Sequence, residues 1–181
     1  MNISLRAYLE SDLVRLSELF TETVHRINCQ DYAPAQIMAW APNPPDLDRW
    51  RRRLLSLKTT IATVEQRVVG FCSMEGTNHL ELLYVDYAHQ GQGVARALVE
   101  SALREAGRKG ESNVFTEASI TACPCFERLG FRLIQAQEVL HSGIPFRNFR
   151  MAYQLNHEKM EKMGFNRLNR KNPTSHEIWL Y

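Results

Sequence analysis

Residues 84–99 read YVDYAHQGQGVARALV and join an apolar strand pattern to a helix pattern rich in Ala, Leu and Val. Two glycines, Gly91 and Gly93, stand at this junction. A helix that begins directly after a strand leaves several backbone N–H groups unpaired at its N-terminus. These donors and the helix dipole favour a phosphate-like anion, and glycine allows it to approach the backbone closely. Tight packing alone also explains glycines at such a turn, so a ligand needs further support.

Hydrophobic periodicity divides the chain into strand and helix segments. Strands are predicted at Ile3–Tyr8, Thr59–Glu65, Val68–Gly76, His79–Asp86, Asn113–Glu117, Phe131–Val139 and Ile144–Tyr153. Helices are predicted at Asp12–Ile27, from Pro34, from Asp46 or Asp48 through RWRRRLLSL, and at Gln92–Arg108 and Ser119–Leu129. The short connections between the second, third and fourth strands predict a three-stranded antiparallel meander. Residues 156–181 resemble a polar helix, a loop and a short strand, a C-terminal extension expected to pack on the same domain or on a partner.

Composition limits the classes of protein to consider. The chain has 181 residues, of which 44% are hydrophobic and 23% charged, with a net charge of +2. This indicates one globular domain and no general attraction to nucleic acid. Because no apolar run is long enough, neither a signal peptide nor a membrane span is expected. The four cysteines lack metal-ligand spacing, so we expect no metal, reduced thiols and a cytoplasmic location.

Two common phosphate-binding motifs fail at the glycines. A P-loop requires Lys followed by Ser or Thr after its last glycine, and the dinucleotide fingerprint requires a third glycine where Arg96 stands. QGQGVA, residues 90–95, instead fits the pattern [Q/R]-x-x-G-x-[G/A] between an apolar strand and an apolar helix. SITACPCFERLGF, residues 119–131, fits N-x-x-A-x-x-x-[Y/F]-x-x-x-G-F in its later positions.

With these two motifs in this order behind a meander, the sequence resembles the GNAT superfamily of acyl-CoA-dependent N-acyltransferases. The likeness covers roughly residues 3–155, and the N-terminal YAPAQIMAWAP and the closing GIPFRNFRMAYQL narrow it to a bacterial subgroup. It implies a single α/β (α+β) domain over residues 1–155. We expect a mixed, mostly antiparallel sheet flanked by helices, with a fourth strand that splays from its neighbour.

The resemblance implies acetyl-CoA as cosubstrate and assigns residues to it. The pyrophosphate would lie on the backbone of Gln90, Gly91, Gln92, Gly93, Val94 and Ala95. The pantetheine would pair with the strand at Leu83, Tyr84 and Val85, and the Val85 amide would hold the oxyanion of the tetrahedral intermediate. Ser119 and Phe126 are further expected coenzyme contacts. Many relatives have a tyrosine at position 126 that protonates the leaving thiolate, which Phe126 cannot do; Cys125, Tyr84 or water remain alternatives.

Acetyl transfer requires a neutral amine, and an alkylamine with a pKa near 10.4 is almost wholly protonated at pH 7. In the family the base is often a glutamate on the fourth strand. Glu81 is therefore the first candidate, acting through water, and His79 on the same strand face is the second. A solvated or ion-paired Glu81 is the competing interpretation.

The acceptor pocket of the family is built from the first two helices, their connecting loop and the last hairpin. This implies His25, Tyr32, Gln36, Trp40, Phe146 and Asn148 as acceptor-binding candidates, while Trp50 is expected to pack in the core. The predicted function is transfer of acetyl from acetyl-CoA to a primary amine of a small molecule or peptide. A non-catalytic acyl-CoA-binding module and a nucleotide-binding protein remain alternatives, and a homodimer formed through the terminal strand is left open.

Overall fold

Residues 2–155 are described by a computed structural model, and the predicted extension at 156–181 lies outside them. The strands are β1 Ser4–Ala7, β2 Lys58–Val64, β3 Arg67–Glu75, β4 His79–Val85, β5 Asn113–Ser119, β6 Arg132–His141 and β7 Ile144–Gln154. The helices are α1 Leu13–Arg26, α2 Pro34–Trp40, α3 Leu47–Ser56, α4 Val94–Arg108 and α5 Cys123–Arg128. Each predicted strand and helix within the described range is present, with ends displaced by a few residues. Among these helices none is long and apolar enough to cross a membrane.

The seven strands form one sheet in the order β1-β2-β3-β4-β5-β7-β6. The meander of β2, β3 and β4 is antiparallel, as predicted, and so are the pairs β1–β2, β5–β7 and β6–β7. Only β4 and β5 run parallel. The predicted mixed, mostly antiparallel α/β fold is therefore confirmed.

Helices cover both faces of the sheet because each presents one apolar stripe to it. On one face α4 contributes Leu98, Val99 and Leu103 to a buried cluster with strand residues. On the other face α1 and α3 contribute a second cluster that includes Leu16 and Trp50. The sheet thus lies between two separate cores. One pair of its neighbouring strands leaves a gap.

Such a gap separates β4 from β5. Their registered pairing is limited to His79 and Phe115. Two further hydrogen bonds join the strands at this end: Phe115 N–H donates to the Asn78 carbonyl at 2.8 Å, and the buried Thr116 hydroxyl donates to the Leu80 carbonyl at 2.8 Å. Beyond Thr116 the strands diverge, which confirms the expected splayed fourth strand.

Ser119 differs from its prediction. It is the last residue of β5, paired with Asn148, and not the first residue of a helix. Its hydroxyl accepts a hydrogen bond from the Ala122 N–H at 3.0 Å and so stabilises the turn before α5, which begins at Cys123. Small polar residues favour such turns, so the sequence pattern looked like a helix start four residues too early.

We expect Thr116→Val to lower the free energy of unfolding by roughly 1–2 kcal/mol, because it removes the buried hydrogen bond where β4 and β5 separate. Thr60→Val on β2 is the matched control, since the Thr60 hydroxyl has no hydrogen-bond partner among residues 2–155. Urea denaturation measures both. Equal losses would mean that the Thr116 bond does not hold the two strands together.

Candidate active site

The gap between β4 and β5 forms a cavity of about 280 Å³, here called the split cleft. Its walls come from β4, β5, α5 and the loop before α4. Eight of the predicted coenzyme residues line it: Leu83, Tyr84, Val85, Gln90, Gly91, Ala95, Ser119 and Phe126. Gln92, Gly93 and Val94 are not part of the lining. The Gln92 amide donates to the Ala88 carbonyl at 3.1 Å, and the Val94 side chain is buried in the core.

The loop before α4 presents an array of backbone donors. Gly91 and Gly93 have φ values of +71° and +87°, a backbone conformation that favours glycine, and a Cβ on either would meet no atom within 4 Å. The backbone N–H groups of residues 91–96 donate no hydrogen bond to any residue that the structure describes. The loop therefore combines open space with unpaired donors at a helix N-terminus, as an anion site requires.

Asp86 stabilises the turn that leads into this loop, a role that sequence reasoning missed. Its carboxylate accepts the Ala88 N–H at 2.9 Å and forms an ion pair with Arg15 of α1. Burial raises the pKa of Asp86, but the bonds from Ala88, His89 and Arg15 outweigh burial and hold the pKa below its usual range. An ionised Asp86 thus fixes the turn between β4 and the glycine loop.

The backbone of Val85 faces the split. Asp86 N–H donates to the Val69 carbonyl at 2.9 Å, which makes Asp86 and Val69 the hydrogen-bonded pair of this antiparallel ladder. Val85 pairs with Gly70 and is therefore the next, non-hydrogen-bonded position, whose N–H points away from β3. Away from β3 lies the gap toward β5, so this N–H is available to a ligand in the split cleft.

A second cavity of about 250 Å³, here called the aromatic cavity, lies on the α1–α3 face. Trp40, Glu117 and Ser119 line both cavities, so the two meet at the end of β5. The predicted residues Tyr32, Trp40, Phe146 and Asn148 line it; the ring centroids of Tyr32 and Trp40 are 5.3 Å apart, and those of Tyr32 and Phe146 are 5.7 Å apart.

His25 and Gln36 are not placed in either cavity. A ring nitrogen of His25 lies 2.8 Å from the Ala41 carbonyl, and the Gln36 amide donates to the Pro145 carbonyl at 2.7 Å. Both side chains thus connect the α2 region to its surroundings instead of lining a cavity. Trp50 packs edge-on against Phe20 with centroids 4.8 Å apart, in the core as expected, and borders the cavity.

A chain of charges crosses the point where β4 and β5 separate. Arg53 of α3 donates to Glu81 at 2.6 Å, and His79 Nε2 lies 3.4 Å from Glu81 and 3.0 Å from Glu117. The hydrogen bond from His79, with the Arg53 contacts, lowers the pKa of Glu81 despite partial burial. The bond to Glu81 and the charges of Glu117, Glu81 and Glu75 raise the pKa of His79 against its own burial. The two groups therefore titrate as one coupled pair.

Two protonatable side chains and one aromatic ring also line the split cleft: Tyr84, Cys125 and Phe126. Burial raises the pKa of the Tyr84 phenol far above its usual value, and it also raises the pKa of the Cys125 thiol. Both groups therefore stay protonated at neutral pH. Phe126 is 3% exposed and packs edge-on against Phe131, with no atom that could carry a proton.

Glu75, His79 and Glu81 offer ligand atoms that lie within 4.8 Å of one another. This group could hold a cation, which the cysteine spacing gave no reason to expect. The competing contacts of Arg53 and Glu117 occupy two of the same side chains.

Comparisons with known proteins identify the class of protein that this split sheet and its two cavities belong to. The acetyltransferase (GNAT) domain family matches residues 28–153, so the chain belongs to the GNAT family and is an acetyltransferase. It is 36% identical over 156 residues to the uncharacterized N-acetyltransferase YafP of Escherichia coli strain K12, covering 86% of this chain and 99% of that one. Membership favours an enzyme over the two alternatives, a binding module and a nucleotide-binding protein.

Two solved structures share the fold. The GCN5-related N-acetyltransferase "Aminotransferase, Class-II" from Rhodopseudomonas palustris superposes with a TM-score of 0.82 and 29% identity, over 86% of this chain and 97% of that one. YncA of Salmonella typhimurium, solved with its cofactor acetyl-CoA, superposes with a TM-score of 0.61 and 21% identity, over 86% and 95% of the two chains.

Glu117, Arg53 and Asp86 are the main residues of the site that sequence reasoning did not single out. Glu117 was predicted only as the end of a short strand, and Arg53 only as one of three arginines on a helix. A strand pattern does not reveal which distant strand lies alongside, so the contact of Glu117 with His79 had no sequence signal.

We expect NMR titration to give His79 a pKa above the ordinary 6.5, because two carboxylates face its Nε2. Glu117→Gln should lower this pKa, since it removes one of the charges. Glu18→Gln, an exposed change on α1, is the control and should leave it unchanged. If the pKa of His79 is the same in Glu117→Gln as in the unchanged protein, Glu117 does not interact with the His79 imidazole.

Proposed function

We propose that this acetyltransferase moves the acetyl group of acetyl-CoA to a primary amine of a small molecule or peptide by direct attack in a ternary complex. The observation that carries the proposal is the meeting of the two cavities at Trp40, Glu117 and Ser119. One cavity has the donors and strand edge that suit a coenzyme, and the other has an aromatic wall that suits an acceptor.

Acetyl-CoA is assigned to the split cleft. Its pyrophosphate would lie on the unpaired N–H groups of the loop at residues 90–95, where the helix dipole of α4 adds a favourable field. Its pantetheine would run beside Leu83, Tyr84 and Val85, where β5 has moved away and leaves room. The acetyl-CoA in the YncA structure supports the choice of cosubstrate through the shared fold.

The reaction removes two protons from the acceptor nitrogen, forms a C–N bond and breaks a C–S bond. The acceptor ammonium gives its proton, through water, to the coupled Glu81 and His79 pair. The neutral amine then attacks the thioester carbonyl, and the Val85 N–H stabilises the oxyanion. When the intermediate collapses, the nitrogen gives its second proton to water, the C–S bond breaks and coenzyme A leaves as a thiolate. Cys125 and Tyr84, which are both protonated, are the side chains of this cleft that can return a proton to it.

Calorimetric titration of acetyl-CoA tests the first half of the proposal. We expect Gly91→Ala to weaken binding at least tenfold, because the new Cβ would occupy the space beside the loop donors and strain a backbone with φ of +71°. Gly110→Ala is the matched control: φ is +88°, the surrounding space is open, and the residue follows α4 at its far end. If both variants bind like the unchanged protein, the pyrophosphate does not lie on this loop.

A pH–rate profile tests the second half. We expect Glu81→Gln to lower kcat/KM by about 10²-fold, the lower range for loss of a positioned base. The acidic limb of the unchanged enzyme should lie above pH 6.5, since the base works deprotonated and the pKa of His79 is raised. In Glu81→Gln the residual limb should move to lower pH, because the first cause of that raised pKa is gone. Glu18→Gln is the control, and unchanged turnover in Glu81→Gln would exclude Glu81 from proton transfer.

A further inference from the structure

Some of the charged side chains that line the aromatic cavity have a hydrogen-bond or ion-pair partner, and others have none. Each carboxylate at or beside it has a partner: Glu81 has Arg53, Glu117 has His79, and Asp46 accepts the backbone N–H of Arg49 at the start of α3. Among residues 2–155, no carboxylate that lines this cavity is without a hydrogen-bond or ion-pair partner. This argues against a polyamine, whose separate cations each need an acidic partner.

Two arginines of this cavity form no ion pair with residues 2–155: Arg147, whose guanidinium lies over the Phe149 ring, and Arg49. No carboxylate of residues 2–155 lies within 4.0 Å of its guanidinium, although the side chain lines the cavity. It stands four residues before Arg53 on α3, so both arginines share one face of the helix and lie about 6 Å apart along its axis. Arg53 contacts Glu81, so Arg49 stands one helical turn from the arginine that binds the proposed proton acceptor.

A second unsatisfied group lies at the other side of the same cavity. The side-chain oxygen of Asn148 is buried and has no hydrogen-bond partner. Asn148 stands opposite Ser119 in the register of β7 and β5, where the two cavities meet. A buried carbonyl oxygen without a donor is costly, and an N–H of the acceptor would satisfy it. The preceding residue, Arg147, does not contact the Asn148 oxygen, because its guanidinium lies over the Phe149 ring.

We propose that the acceptor carries a carboxylate in addition to its amine, with Arg49 binding the carboxylate and Asn148 orienting the nitrogen. The aromatic rings of Trp40 and Phe146 lie along the cavity and suit a flat apolar body between the two polar ends. This inference rests on the proposed function, because it names the class of acceptor that the aromatic cavity selects. Arginine suits the carboxylate end since its planar donors match carboxylate oxygens.

The test compares two acceptors of the same shape, 4-(aminomethyl)benzoate and 4-(aminomethyl)benzamide, with spermidine as the polyamine. In each of the two benzene compounds the amine and the carboxylate or amide lie at opposite ends of one ring. Acetylation with saturating acetyl-CoA gives kcat/KM. We expect the unchanged enzyme to prefer the carboxylate at least tenfold over the amide and over spermidine, as a charge-assisted hydrogen bond would produce.

Variants of α3 locate the source of this preference. Arg49→Gln should lower kcat/KM for the carboxylate at least tenfold and leave the amide unchanged, and Arg49→Lys should restore part of the loss. Arg52→Gln, an exposed arginine on the same helix outside both cavities, is the matched control and should keep the preference. Equal rates for carboxylate and amide, or a preference that survives Arg49→Gln, would overturn the proposal.

A binding measurement separates this inference from the proposed function. Calorimetry with coenzyme A already bound should show tighter binding of the carboxylate than of the amide, and no binding of the carboxylate would overturn the inference. If acetyl-CoA binds and the amide or spermidine is acetylated without any preference for the carboxylate, the acceptor class is wrong and the acetyltransferase mechanism stands. If acetyl-CoA fails to bind, the proposed function itself is wrong.

Discussion

The short parallel contact between β4 and β5 is the constraint on which the remaining features depend. The strands are joined at His79 and Phe115 and by the bond from Thr116 to Leu80, and then they separate. A continuous ladder would satisfy the backbone of Val85 and leave no cavity. Because the strands diverge, the backbone of Val85 faces the split cleft, and the aromatic cavity meets that cleft at the end of β5. A closed sheet with the same residues would bring no two substrates together.

Electrostatics then divides the site into regions with different chemistry. Unpaired N–H groups at the start of α4 form a positive end without any charged side chain, and the ionised Asp86 holds their loop in place. At the strand separation, His79 lies between Glu81 and Glu117, so a proton can be held there without a free charge. The acceptor side retains Arg49 as a cation without a carboxylate. The three regions follow one another from the split cleft to the aromatic cavity.

Local patterns predicted most of the fold because the forces behind them act over a few residues. The meander followed from short turns between β-prone runs, and α1 and α4 followed from apolar positions at helical spacing. Prediction was least accurate at Ser119, where a side-chain bond to Ala122 imitates a helix start while the backbone still pairs with Asn148. Tertiary pairing decided that boundary. His25 and Gln36 were placed by the same kind of long-range contact, away from the cavities.

By itself, the sequence determined the class of protein and the position of the glycine loop, because a strand, two glycines with free backbone and an apolar helix are adjacent in the chain. It also placed Glu81 and His79 on one strand. Only the tertiary structure brought Glu117 of β5 and Arg53 of α3 to that pair. The spacing of residues in the sequence shows neither which strand pairs with β4 nor where α3 packs on the sheet. The tertiary structure likewise left Arg49 without a carboxylate and Asn148 without a donor, because the satisfaction of a polar group depends on what the whole fold places around it.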